Sequence, residues 1–166
     1  MKGVLLAAGL CLLPMSESGA ACYGRANGSQ QRFVLNGGEA YDTKTGLTWK
    51  RCSVGTTWDG KRECTGEPVF ASLNNAKRMA KDAGVEWRVP SGPELESIID
   101  RSCGSPVVDK AVFPDIRPNA EGTAEYWTTN AVGAANLVYF FDFMTGQADG
   151  HSRGYHLAVR LVRTRG

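Results

Sequence analysis

The sequence predicts an α+β domain. Strand-like alternation of apolar and polar residues marks Phe33–Arg51 and returns between Tyr126 and Val162. The stretch from Ser72 to Asp100 carries helical spacing instead. Four cysteines beyond an apolar leader, Cys22, Cys52, Cys64 and Cys103, supply two disulfides.

The leader occupies residues 1–21. Lys2 gives a positive start, Val4 to Leu13 form an apolar run interrupted by Gly9, and Ser18-Gly19-Ala20-Ala21 offers small residues for cleavage. That run is shorter than the roughly 20 residues of a membrane span. Export is therefore predicted, to the periplasm, the cell surface or the medium, with no transmembrane segment. Residues 22–31, rich in Gly, Asn and Ser, form a leading segment, and 32–166 form one domain.

Of the five cysteines, Cys11 leaves with the leader. The remaining four allow three pairings. The most economical joins Cys52 to Cys64 across a local loop and Cys22 to Cys103 across most of the domain. Their spacings lack a paired C-x2–4-C and neighbouring histidines, so no zinc site, other metal or cofactor is expected. A lipid on Cys22 is a competing fate, because Cys22 follows a small-residue cleavage site; it would leave Cys103 unpaired.

A formal charge of +2 is too small for a nucleic-acid footprint. Arg153, Arg160, Arg163 and Arg165 nevertheless gather near the C-terminus beside His151 and His156. They read either as a solvated edge with core-flanking arginines or as an anion-facing patch.

The elements follow in order. Phe33, Leu35, Ala40 and Tyr41 read as an early strand interrupted at Asn36-Gly37-Gly38. Asp42–Gly46 has turn chemistry, and Leu47–Arg51 completes a hairpin. Inside the Cys52–Cys64 loop, Trp58 is expected to tuck beneath its own loop while Lys61-Arg62-Glu63 faces water. Leu73, Ala76, Ala80 and Ala83 share one helical face, with Ser72 as N-cap and Gly84 as the stop.

The densest motif is Trp87–Leu95. Trp87 and Val89 alternate with Arg88, and Pro90 ends that strand. Ser91 and Glu94 then form a capping box, and Leu95, Ile98 and Ile99 give a helix from about Gly92 to Asp100 its apolar face. From Gly104 to about Ala124 runs a long proline-containing connection anchored by Val112-Phe113. Tyr126–Thr129, Leu137–Phe143 and His156–Val162 read as strands, the last apolar on both faces as near the middle of a sheet. Asn130–Asn136 and Asp149–Gly154 read as the loops between them.

Three segments, Asp42–Trp49, Trp87–Ser91 with Glu94-Leu95, and Tyr126–Thr129 with Arg160–Arg163, together resemble the Lcl C-terminal domain family over roughly residues 32–163. That family is similar to C-type-lectin-like folds, and the central motif is similar to an Arg-Leu-Pro-Thr segment of sulfatase-modifying enzymes. The resemblance implies two helices packed on a twisted, mainly antiparallel sheet with termini close together, which a Cys22–Cys103 disulfide fits. It also implies adhesion at a bacterial surface through carbohydrate, with sulfated glycosaminoglycans bound by the founding member. Two departures stand out. The chain has no Gly-X-Y stalk, and Glu67-Pro68 lacks the third residue of the calcium-dependent Glu-Pro-Asn sugar motif.

In lectin-like folds the late loops form the binding surface. Here they supply Asn130, Asn136, Asp149, His151, Arg153 and Tyr155. Asn and Asp hold sugar hydroxyls, Tyr155 stacks on a ring face, and Arg153 pairs with sulfate or carboxylate. The expected partner is a glycan, sulfated or acidic, or an extracellular or envelope protein. The alternative role is periplasmic protein–protein interaction or envelope structure. Catalysis is not expected, even of the sulfatase-modifying kind. His151 and His156 are candidate bases and Asp142 and Asp149 a candidate acid–base pair, but there is no Gly-x-Ser-x-Gly elbow and the cysteines are committed to disulfides.

Overall fold

A computed structural model describes Cys22 and residues 32–133 and 136–164. The expected leader, the leading segment apart from Cys22, and Arg165 lie outside the described residues. The strands are β1 (Phe33–Asn36), β2 (Glu39–Asp42), β3 (Leu47–Lys50), β4 (Thr57–Trp58), β5 (Cys64–Thr65), β6 (Glu125–Val132), β7 (Leu137–Asp142), β8 (Gln147–Ser152) and β9 (Val162–Thr164). The helices are α1 (Leu73–Asp82) and α2 (Gly92–Ser97). The architecture is α+β, with antiparallel strands divided among three sheets in the orders β1-β2-β3-β9, β4-β5 and β6-β7-β8.

The early strand is a full hairpin. Gly37 adopts φ +53°, which lets β1 fold back on β2. Further along, Ser72 caps α1 by accepting from Asn75 N at 3.4 Å, and Leu73, Ala76 and Ala80 are its buried face. Both halves of the Ser91–Glu94 capping box are present at α2. That helix ends at Ser97 rather than Asp100, because Asp100 instead caps a 3-10 turn, Arg101–Cys103, accepting from Ser102 N at 3.0 Å. The disulfides are Cys22–Cys103 and Cys52–Cys64, so the Cys22 sulfur that lipidation would need is already bonded.

Two apolar cores divide the interior. Trp49, Leu95, Phe113, Ile116 and Phe143 anchor the first; Leu73, Trp127, Val138, Leu157 and Val159 anchor the second. The expected last strand is the segment that threads between them. It makes single rungs to successive partners, Ala71 with Leu157, Tyr126 with Ala158 and Arg88 with Val162, before pairing with β3 as β9. Burial on both sides, rather than a central place in one sheet, makes it apolar throughout.

Two expected loops are strand in part. β6 continues through Asn130 to Val132, and Thr128–Asn130 bulge out opposite Tyr139, whose carbonyl accepts from the Thr128 hydroxyl at 2.6 Å. Residues 149–152 belong to β8, which pairs with β7 in unbroken register from Asp142↔Gln147 to Leu137↔Ser152. β8 reads as polar because it is an edge strand held by the turn at Thr145-Gly146, not by an apolar face.

Candidate functional site: a cationic cleft and an aromatic groove

Of the six residues expected at a common surface, the structure brings three together. Asn130 sits over the start of α2, where its side-chain oxygen accepts from Gly92 N at 2.7 Å. It is a structural cap. Asn136 takes φ +50° at the turn into β7, a conformation asparagine tolerates. Asp149, His151 and Tyr155 do come together. The His151 ring stacks on Tyr155 at 3.9 Å and on Phe140 at 4.7 Å, and Asp149 lies two residues along the same strand face. Arg153 is exposed at the following turn, where its carbonyl accepts from Leu73 N at the head of α1. Of the suggested acid–base pair of Asp142 and Asp149, the first is committed to structural hydrogen bonds. Asp142 is buried and accepts from Ala124 N, Met144 N and the Thr145 hydroxyl.

Two members of the arginine patch are committed for a similar reason. Arg160 is fully buried and ion-paired to Asp115 at 2.6 Å. It also donates to the Arg51 and Lys50 carbonyls and to Ser53 Oγ at 3.0 Å. Asp115 in turn accepts from Ser53 N at 2.6 Å and from the Thr56 hydroxyl at 2.9 Å. Burial alone would raise the Asp115 pKa, but the Arg160 charge and these hydrogen bonds hold it below the ordinary carboxylate value. Arg163 is shared between Glu39 at 2.9 Å and Glu86 at 3.2 Å. These arginines are therefore joints of the fold.

Cations converge elsewhere. A cleft of ≈ 500 Å³ opens between the β1–β2 turn and the disulfide-clamped β4–β5 hairpin, lined by Leu35, Gly37, Arg51, Trp58, Lys61 and Arg62 among others. Asp59 builds its rim, with one carboxylate oxygen accepting from the N–H groups of Lys61 at 2.7 Å, Arg62 at 2.9 Å and Glu63 at 3.0 Å. These bonds fix the backbone that carries Lys61 and Arg62, and they hold the Asp59 carboxyl below its usual range. Arg51 forms the floor. It donates to the carbonyls of Gly37 and Ala111, both at 2.9 Å, and lies 3.7 Å from the Trp58 ring. Burial lowers the Arg51 pKa, and the Asp109 and Asp59 carboxylates oppose that shift. An indole beside cationic groups suits a ring bearing negative substituents.

Sequence reasoning read Trp58 and Lys61-Arg62 separately, as a tucked ring and a solvated run. The available signal was their density: two adjacent cations and a tryptophan inside one disulfide loop, with Arg51 directly before it.

A second concavity lies on the far chain segments. A groove of ≈ 470 Å³ is lined by Phe70, Asn119, Glu121, Glu125, Tyr155 and His156 among others, and joins a smaller ≈ 130 Å³ cavity that shares Phe70, Asn119, Thr123 and Glu125. Burial, followed by the charges of Asp142, Glu121 and Asp149, raises the Glu125 pKa, while His151 acts in the opposite direction. Perturbed carboxyls concentrate at ligand sites, and this one came from β6, where Glu125 read only as the residue before a strand. As to metals, the described residues bring Cys22, Asp100 and Cys103 together, but both sulfurs are used in the disulfide. Among the described residues no helix is long and apolar enough to cross a membrane.

No curated protein matches the chain significantly. The sequence model of the Lcl C-terminal domain matches residues 38–163, which run from β2 through both helices to Arg163 in β9 and leave out β1 with Leu35 and Gly37 of the cationic cleft. That range covers well over half of the sequence, and the chain belongs to the Lcl C-terminal domain family.

Proposed function

We propose that the protein is an exported, non-catalytic binding module for carbohydrate bearing sulfate or carboxylate groups, and that the ligand occupies the cleft over the disulfide-clamped hairpin. The observation that carries this reading is the meeting of Arg51, Lys61 and Arg62 around Trp58 in one cleft of ≈ 500 Å³. That volume falls in the range of small-ligand sites. Arg51 supplies a fixed field from below, because its bonds to carbonyls prevent it from swinging out. Lys61 and Arg62 are exposed and supply the direct contacts to the anion. The leader and the two disulfides fit an oxidising compartment outside the cytoplasm. The site thereby moves from the C-terminal loops to the first third of the domain.

Retention of the disulfide-intact protein on immobilised heparin and chondroitin sulfate tests this reading. Retention is expected to weaken steeply with salt. Lys61→Ala/Arg62→Ala should lower the slope of log affinity against log salt by about two charges. Arg153→Ala should leave it unchanged. Loss of retention in Arg153→Ala alone would return the site to the C-terminal loops, and retention indifferent to salt would refute the anionic class. Leu35 on the exposed edge strand β1 also lines the cleft, so an envelope protein is the second reading. It predicts capture that survives enzymatic removal of glycans from an envelope extract.

A further inference from the structure

We infer that the groove between Phe70 and Tyr155 is a separate binding site for an uncharged oligosaccharide. It uses none of the residues that line the cationic cleft. Its frame is rigid. The Ala71–Leu157 rung carries bonds of 3.0 and 3.2 Å, and Trp127 Nε1 donates to the Ala71 carbonyl at 2.7 Å. Ala158 N donates to the Glu125 carbonyl at 3.1 Å. The opposite wall is pinned by Asn119, whose side-chain oxygen accepts from Glu121 N at 3.0 Å and Thr123 N at 2.9 Å.

Within that frame two aromatic residues stay open to solvent. Phe70 and Tyr155 each keep 49% of their surface exposed, although large apolar side chains are normally buried where a core is within reach. Tyr155 is not loose, because His151 and then Phe140 are stacked beneath it. A stiff, half-exposed ring lining a cavity of this volume suits the flat C–H face of a pyranose. The polar lining is rich in acceptors, Glu121 and Glu125, so it calls for a ligand rich in donors, such as sugar hydroxyls.

Charge excludes the other stacking ligands. No lysine or arginine lines this groove among the described residues, and Arg117 in the adjoining cavity is paired with Glu67 at 3.0 Å. Mononucleotides and uronic-acid or sulfated sugars would set their anions beside Glu121 and Glu125, and Glu125 already faces the charges of Asp142, Glu121 and Asp149. The two concavities therefore sort glycans by charge.

The test is an amide chemical-shift titration of the disulfide-intact protein with cellotetraose, N-acetylchitotetraose and tetragalacturonate. One or both neutral sugars should shift residues 70, 121–125 and 155–157, and the galacturonate should not. Tyr155→Ala should weaken the neutral sugar about tenfold, and Lys61→Ala/Arg62→Ala should leave it unchanged. Glu121→Gln/Glu125→Gln should admit the galacturonate. Unchanged melting of each variant confirms that the fold is intact. Absence of shifts in the groove with both neutral sugars, equal galacturonate shifts at these groove residues in the wild type, or unaltered neutral-sugar affinity in Tyr155→Ala would each overturn the assignment.

Discussion

Removing one member of the Arg160–Asp115 pair should do more damage than any other single change to a polar side chain. Arg160→Met deletes a fully buried guanidinium whose partner is itself almost inaccessible, with side-chain exposures of 0% and 5%. Asp115 would then keep the bonds from Ser53 N and Thr56 but lose its countercharge, and the Arg51 carbonyl would lose its donor. An uncompensated buried charge costs about 3–5 kcal/mol. For a domain of this size that is a fall in Tm of about 10–20 °C. Arg160→Met/Asp115→Leu removes both charges and should cost less than the sum of the single variants, with a coupling of about 2 kcal/mol or more. Urea unfolding followed by far-UV circular dichroism, disulfides intact, gives the three values. Additive effects would refute the view that this pair, rather than the packing around it, joins the disulfide loop to the long connection.

Other expectations concern separate joints. The Arg88 ion pair and the capping box hold Glu94 at about 2, from an ordinary 4.5. A depressed carboxyl pKa stabilises the fold above the unfolded value, and that contribution disappears as pH falls from about 4.3 toward 2. Glu94→Gln should lower stability at pH 7 by about 1–2 kcal/mol, after discounting for the partly exposed arginine, and should flatten the loss between pH 4.3 and 2 seen by thermal melting. Asn130→Ala, which uncaps Gly92 N, should cost about 1 kcal/mol and leave glycan retention unchanged, whereas a direct role in the ligand site would show as lost retention at normal stability. Cys52→Ser/Cys64→Ser should lower unfolding free energy by about 3 kcal/mol and weaken heparin retention, because the clamp closes a short loop that carries the cleft's cations.

Where local chemistry decides structure, the sequence was transparent. Ser72, Ser91 with Glu94, and the Leu73–Ala76–Ala80 stripe specify their helices without help from distant residues. The Lcl C-terminal resemblance and both disulfides were legible from ordered motifs and from cysteine count and spacing. Strand assignment failed where pairing is imposed from outside. Gln147–Ser152 has no apolar face of its own, and its register comes from β7 and the turn before it. Arg160 misled in the opposite direction. An arginine near a basic terminus reads as surface charge until Asp115, forty-five positions earlier, is placed against it. The cationic cleft was not legible for the same reason, since Leu35, Arg51, Trp58 and Lys61 meet only after β1, β3 and the clamped hairpin have folded.

The direct measurement of the central claim is an amide chemical-shift titration with a sulfated heparin hexasaccharide. Shifts confined to residues 35–37, 58–62 and 111, and abolished in Lys61→Ala/Arg62→Ala, are the predicted result. Shifts centred on 149–155, or an unchanged pattern in that double variant, would contradict it.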